Sequence, residues 1–185
     1  MHNLSADQQA MLATWQQHTF AEFEMKDAEA ALATMTENPY VLLIGNGIAR
    51  AGREAVREFY AEHFLPQIPP DLELTSLWQT FGDDRIVEEM LIRFTHSIDM
   101  NWLFPGVSAT GRKVEFAVVG IIQFEAGKVA GERLYWDQAT VLSQLGILDH
   151  PVAAAGRRSA AQLLKTSVTS GRARPSPSKC LGTRR

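Results

Sequence analysis

The chain has 185 residues, 45% of them hydrophobic and 21% charged, with a formal net charge of −3. That describes one globular domain, long enough to bury about two thirds of its unfolded surface without a disulfide or metal staple. Its single cysteine, Cys180, excludes an intrachain disulfide and a cysteine-based zinc site. No apolar run approaches the ~20 residues of a membrane span, and the first nine residues carry no signal pattern, so the expected location is the cytoplasm, with no membrane partner.

The net charge hides a division. Residues 1–149 carry all 21 acidic groups and 10 of the 18 basic ones, a balance of −11, while residues 150–185 carry the other 8 basic groups and no acid. An acidic body repels a polyanion, which excludes nucleic acid as its main ligand. The expected organisation is a single domain over 1–150 and a basic tail over 151–185. A turn or two of helix is expected at 153–161, and 166–185, rich in Ser, Gly, Pro and Arg, reads as disordered.

In chain order, Ser5 and Gln8 form a capping-box start, and Met11, Leu12, Trp15, Thr19 and Phe23 recur at helical spacing to about Met25. Asp27 caps a second helix over 28–35, which Asn38-Pro39 breaks. A short strand at 40–44, a loop at 45–52 and a helix over 53–64 follow, ended by Pro66, Pro69 and Pro70. The hydrophobic period then changes from 3.6 to 2. Strands are expected at 72–81, 85–99, 114–124 and 129–136, with a connection at 100–113, a tight turn at 125–128 and a closing helical turn or two at 141–148. Helices followed by long antiparallel strands define an α+β domain, its curved sheet wrapped over the N-terminal helices around an internal pocket.

Several motifs fail on inspection. Gly45-Asn46-Gly47 has Arg50 where a dinucleotide fingerprint needs its third glycine, and Arg53-Glu54 where a phosphate loop needs Lys-Ser/Thr. The five histidines form no i, i+4 pair with one another, so no helical zinc motif is expected, and neither metal nor cofactor. Carboxylate and imidazole chemistry remains.

The second half carries a constellation. Thr95-His96 precedes a Thr110-Gly111-Arg112 turn, and Asp137 lies seven residues before Gln144-Leu145-Gly146. This order resembles the SnoaL-like polyketide cyclases of the nuclear transport factor two-like superfamily, over roughly 12–148. The resemblance implies a cone-like α+β barrel of antiparallel sheet over helices, an apolar internal pocket, a homodimer, and cofactor-free acid/base chemistry on a small carbonyl or polyketide-like compound: cyclisation, isomerisation or dehydration. It makes Asp137 the acid/base. Hydrolysis of an epoxide or lactone and a non-catalytic binding or dimerisation module are the alternatives.

The hairpin offers a separate reading. If Phe124 pairs with Val129, Asp137 shares a face with Arg133 and Tyr135, opposite Phe116, Val118, Gly120 and Ile122, where desolvation would raise its pKa. The other reading of Asp137 is an N-cap for the closing helix. His96 is the second candidate catalytic group, with Asp99 three residues away needing a bulge to reach the same site. Tyr135, Arg133, Trp102, Phe116, Val118 and Asp99 are the candidate substrate contacts, Trp102 as a pocket lid.

Overall fold

The structure is a computed structural model that describes residues 4–148 and Leu164. The helix expected at 153–161 and the tail from 166 lie outside the described residues. Helix α1 (Ala6–Phe20) starts as its sequence demands: the Ser5 hydroxyl accepts from the Gln8 backbone N–H, and the Gln8 side chain accepts from the Ser5 N–H at 3.0 Å. It runs on into a π-helical segment, Ala21–Met25, and stops at Lys26 in the left-handed region. Asp27 accepts from the N–H groups of Glu29 and Ala30, starting α2 (Ala28–Ala33).

Strand β1 (Met35–Leu43) begins earlier than the proline suggested. Pro39 is absorbed as a register shift between Met35 and Tyr40 rather than ending a helix, which is how a strand accommodates a missing N–H. The expected loop after it holds β2 (Ile48–Ala51), paired back on β1 as a hairpin. Helix α3 (Arg53–Glu58) continues through a π-helical segment, Phe59–Phe64, into a short 3-10 turn at Leu65–Gln67. Then come β3 (Glu73–Phe81), β4 (Arg85–Thr95), β5 (Lys113–Glu125), β6 (Lys128–Trp136) and α4 (Gln138–Gln144).

These strands form one curved sheet in the order β2-β1-β6-β5-β4-β3. All neighbours are antiparallel except β1 and β6. The sheet stays open, with β2 and β3 as its two edges, rather than closing into a barrel. Strand β5 alternates buried and half-buried residues along its whole length, so Val114, Phe116, Val118, Gly120, Ile122 and Phe124 face the concave side, under the helices. No helix among the described residues is long and apolar enough to cross a membrane.

One detail of register decides the site. Phe124 pairs with Val129 as expected, but Gln123 pairs with Gly131, so Ala130 is an extra residue in β6. Beyond that bulge Ile122 faces Glu132 and Val118 faces Trp136. A one-residue slip exchanges the two faces of a strand. Glu132, Leu134 and Trp136 therefore point to the concave side, and Arg133 and Tyr135 to the other.

Gly131 itself lies opposite Tyr40, whose ring occupies the space a side chain would need: a Cβ there would sit 2.3 Å from the ring. Gly131→Ala is expected to destabilise the protein by about 1–3 kcal/mol through overpacking, measured as a lowered urea midpoint with unchanged slope.

Candidate functional site

The apolar stripe of α1 does not stay apolar. Met11 and Trp15 are followed on the same face by His18 and, one turn later, by Glu22, and all four are buried. Strand β6 brings Glu132 to them through its bulge, the π-helical segment after α3 brings Tyr60, and the end of α2 brings Thr34. His18 is 0% exposed, Glu22 4%, Glu132 3% and Tyr60 1%. Five polar side chains, from α1 and its π-helical continuation, the end of α2, the segment after α3 and β6, thus meet at the base of the concave face.

The hydrogen bonds fix most of the proton positions. The Thr34 hydroxyl donates to the Ala31 carbonyl at 2.7 Å, so toward His18 Nδ1, 2.6 Å away, it acts as acceptor. Nδ1 therefore carries a hydrogen. The Tyr60 hydroxyl donates to Glu132 Oε1 at 2.8 Å. His18 Nε2 faces Glu132 Oε1 at 3.2 Å, Glu22 Oε1 at 3.4 Å and the Tyr60 oxygen at 3.3 Å. With acceptors on every side, a proton on Nε2 makes the ring an imidazolium. Burial opposes that charge, but the Glu22 charge beside it and the contacts with Glu132 push the His18 pKa up to about 10. Burial raises the Glu22 carboxyl above its ordinary value, against the pull of His18. The Tyr60 phenol is held well above its usual range by burial and by the charges of Glu132 and Glu22, so it remains a donor.

Above this cluster lies a cavity. Glu22, Glu132 and Tyr60 are its polar floor, with Thr19 beside them, and its walls are apolar and largely aromatic: Phe59, Phe64, Trp102, Phe116 and Trp136 among them. It is narrow, leaving the centre of a water molecule about 70 Å³ to move in, room for several ordered waters or one slim ligand. No lysine or arginine lines it. Two carboxylates at the floor of an otherwise apolar cavity, held together by His18 and Tyr60, are placed to exchange a proton with a bound molecule.

Of the candidates read from the sequence, Trp102, Phe116 and Val118 line this cavity. Trp102 reaches it from the 96–112 connection, which Asn46 pins by donating to the Trp102 carbonyl at 2.6 Å. The others stand elsewhere, and the expectation that Asp137 shares the face of Phe116 and Val118 is corrected by the β6 bulge. Asp137 is exposed and caps α4, accepting from the Thr140 N–H at 3.1 Å and from the Thr140 hydroxyl. Arg133 lies over the Tyr40 ring on the opposite face, its guanidinium 5.4 Å from the ring centroid, and Tyr135 is 40% exposed there.

His96 is buried just past the end of β4, but against Phe104 and Thr110, not in the cavity. Its Nδ1 accepts from the Thr110 N–H at 3.3 Å, and burial lowers its pKa, with the Asp99 charge opposing, so it is a neutral ring. Asp99 accepts from the Ala109 N–H at 2.7 Å. The motifs around these residues do come together, as a joint. His96 exchanges backbone hydrogen bonds with Gly111 and Arg112, and Gln144 clasps both backbone groups of Glu115.

Sequence reasoning missed His18, Glu22, Glu132 and Tyr60. The signal for the first two was an i, i+4 pair of His and Glu on a stripe otherwise apolar. For Glu132 there was none without the bulge.

The model of a SnoaL-like domain matches residues 10–132. A putative SnoaL-like polyketide cyclase from Jannaschia Sp. CCS1 is 20% identical, with a TM-score of 0.65 covering 80% of this chain and 99% of that one. SalBIII, an epoxide hydrolase/cyclase-like enzyme in pyran ring formation in the polyether salinomycin, is 19% identical, with a TM-score of 0.53 over 70% of this chain and 92% of its own. A putative polyketide cyclase from Xanthomonas campestris pv. campestris is 18% identical, with a TM-score of 0.59 over 76% of this chain and 99% of that one. At such identities the likeness shows the fold. No curated protein matches the chain.

The cap makes its own prediction. Asp137→Ala is expected to cost about 1 kcal/mol of stability, while Asp137→Asn, an equally good N-cap, leaves it nearly unchanged; thermal or urea unfolding of the two variants checks this.

Proposed function

The chain belongs to the SnoaL-like family, and on that premise we propose that it is an enzyme moving a proton on a small, apolar carbonyl compound held in the cavity. One observation carries the reading: Glu22 and Glu132 stand together at the floor of a slot whose walls are otherwise apolar. In the proposed step a carboxylate oxygen takes the proton next to the carbonyl, and the C–H electron pair moves onto the carbonyl oxygen. Return of a proton at another carbon, with the electron pair, gives an isomer. Ring closure and dehydration begin from the same enolate. His18 positions both carboxylates, and Tyr60 fixes the orientation of Glu132. The aromatic walls favour a flat, unsaturated ligand, and a lining with two carboxylates and no lysine or arginine disfavours a free carboxylate on it. The role of SalBIII in pyran ring formation in the polyether salinomycin, and the description of another neighbour as a putative polyketide cyclase, support this substrate class.

A homodimer is part of the proposal. Its surface is the outer face of the sheet, where Trp78, Glu89, Val119 and Tyr135 form one cross-strand row and both Trp78 and Tyr135 are exposed.

The test is hydrogen–deuterium exchange next to the carbonyl of small cyclic ketones and enones in D₂O, followed by NMR. Wild-type protein is expected to accelerate exchange over buffer. Glu22→Gln and Glu132→Gln should each lose about 10²–10⁴-fold of that acceleration, while Asp137→Asn keeps it. Full activity in both glutamine variants with loss in Asp137→Asn would move the site to Asp137.

A further inference from the structure

We propose that His18, Glu22 and Glu132 form a binding site for a divalent first-row transition-metal ion at the floor of the cavity. The inference rests on the reading of this cluster as the active centre and deepens it by naming the electrophile that would face the ligand's carbonyl oxygen.

Three oxygen atoms surround His18 Nε2, at 3.2 Å (Glu132), 3.3 Å (Tyr60) and 3.4 Å (Glu22). A charge-assisted N–H···O hydrogen bond usually measures about 2.7–2.9 Å, so one proton is serving three acceptors and is close to none of them. The same separations suit a metal. Ligand atoms bound at about 2.0–2.1 Å in a tetrahedral arrangement lie roughly 3.3 Å from one another. The ligating atoms of His18, Glu22 and Glu132 all fall within 4.8 Å of one another.

Three further features agree. The Nδ1 hydrogen of His18 is committed to Thr34 Oγ1 at 2.6 Å, with the Ala31 carbonyl at 3.3 Å, which aims Nε2 at the carboxylates. Metal-bound histidines are oriented in this way by a partner on the other ring nitrogen. Tyr60 does the same for Glu132. Two carboxylates out of water need a compensating cation, and a divalent ion supplies more charge than a single proton. Glu22 and Glu132 also line the cavity, so coordination positions not taken by protein can face a ligand there. One imidazole nitrogen with carboxylate oxygens suits Zn²⁺, Co²⁺, Mn²⁺ or Fe²⁺ better than the oxygen-only preference of Mg²⁺ or Ca²⁺.

Among the described residues a second group has comparable spacing: Glu58, Glu62 and His63, at the surface. It is half-exposed to exposed, has no such orienting partners, and serves as the control.

The experiment uses the full chain, stripped with a chelator and titrated with Zn²⁺ by calorimetry and with Co²⁺ by visible absorption. One tight ion per chain is expected, with the intense Co²⁺ bands of a four- or five-coordinate site. Glu22→Gln and Glu132→Gln should each weaken binding by about 100-fold or more, and Thr34→Val by about 10–100-fold, the loss of an outer partner. His63→Ala should leave binding unchanged. Circular dichroism and melting of each variant separate lost binding from lost folding. No saturable binding to the wild-type chain, binding that survives both glutamine substitutions, or binding lost in His63→Ala would each overturn the site. If no ion binds but the stripped protein still exchanges ketone protons, and Glu22→Gln abolishes that, the metal site fails and the proton-transfer reading stands.

Discussion

Two carboxylates withdrawn from water onto one imidazole impose the tightest constraint in this fold. An ionised carboxylate in an apolar interior is unfavourable by several kcal/mol even after relaxation, unless charge and hydrogen bonds meet it. Glu22 and Glu132 are met by His18 and by the Tyr60 hydroxyl, and His18 is met in turn by Thr34. Apart from the His18–Glu22 pair within one continuous helix, the contacts come from different elements, so α1, α2, the segment after α3 and β6 together hold the charges. Removing His18 leaves both carboxylates without their cation, so this cluster ties the helical layer to the sheet more specifically than the aromatic contacts around it.

The surroundings follow from that arrangement. Trp15 stacks on His18 with ring centroids 5.5 Å apart and donates to another buried carboxylate, Glu88, at 2.7 Å. Gln79 supplies a second donor to Glu88 at 2.9 Å, so this group is satisfied within the core and does not enter the cavity. The contrast separates a buried acid satisfied within the core from two that line the cavity. Glu88 is saturated by neutral donors. Glu22 and Glu132 share one cation and border empty space. The 96–112 connection, pinned by Asn46 and by Gln138, which donates to the Leu103 carbonyl at 3.0 Å, completes the wall with Trp102 and Leu103.

Much of the fold was legible because its signals are local. The Ser5 capping box, the Asp27 cap, the change of period after Pro70 and the 125–128 turn each act within a few residues, and each stands where the sequence puts it. The α+β class and the SnoaL-like resemblance follow from the order of those elements. The site was less legible because it depends on one non-local detail. The extra residue at Ala130 reverses the faces of β6 after it, which turns Glu132 inward and leaves Asp137 as the cap of α4. Local pattern reading assigns parity from the hairpin turn and carries it onward unbroken. The signal that was there is Gly131 beside the bulge, since a glycine inside a strand often marks one. His18 and Glu22 were visible at i, i+4, yet a search confined to pairs of histidines passes over a His–Glu pair. The Thr95-His96, Thr110-Gly111-Arg112 and Gln144-Leu145-Gly146 motifs carried the resemblance by their order alone. In the structure His96 exchanges backbone hydrogen bonds with Gly111 and Arg112, and the Gln144 side chain holds the Glu115 backbone, joining β4, β5 and α4.

The central claim is that Glu22 and Glu132 lean on the same buried cation. A double-mutant cycle of Glu22→Gln and Glu132→Gln, read by urea unfolding in the presence of a chelator, tests it directly. With one carboxylate left, the His18 charge still has a partner; with neither, it is stranded. The double variant should therefore lose more stability than the two single losses added together, by about 0.5–3 kcal/mol, the coupling found for groups in contact. Additivity to within about 0.3–0.5 kcal/mol would mean the two carboxylates do not share His18, and would contradict the account.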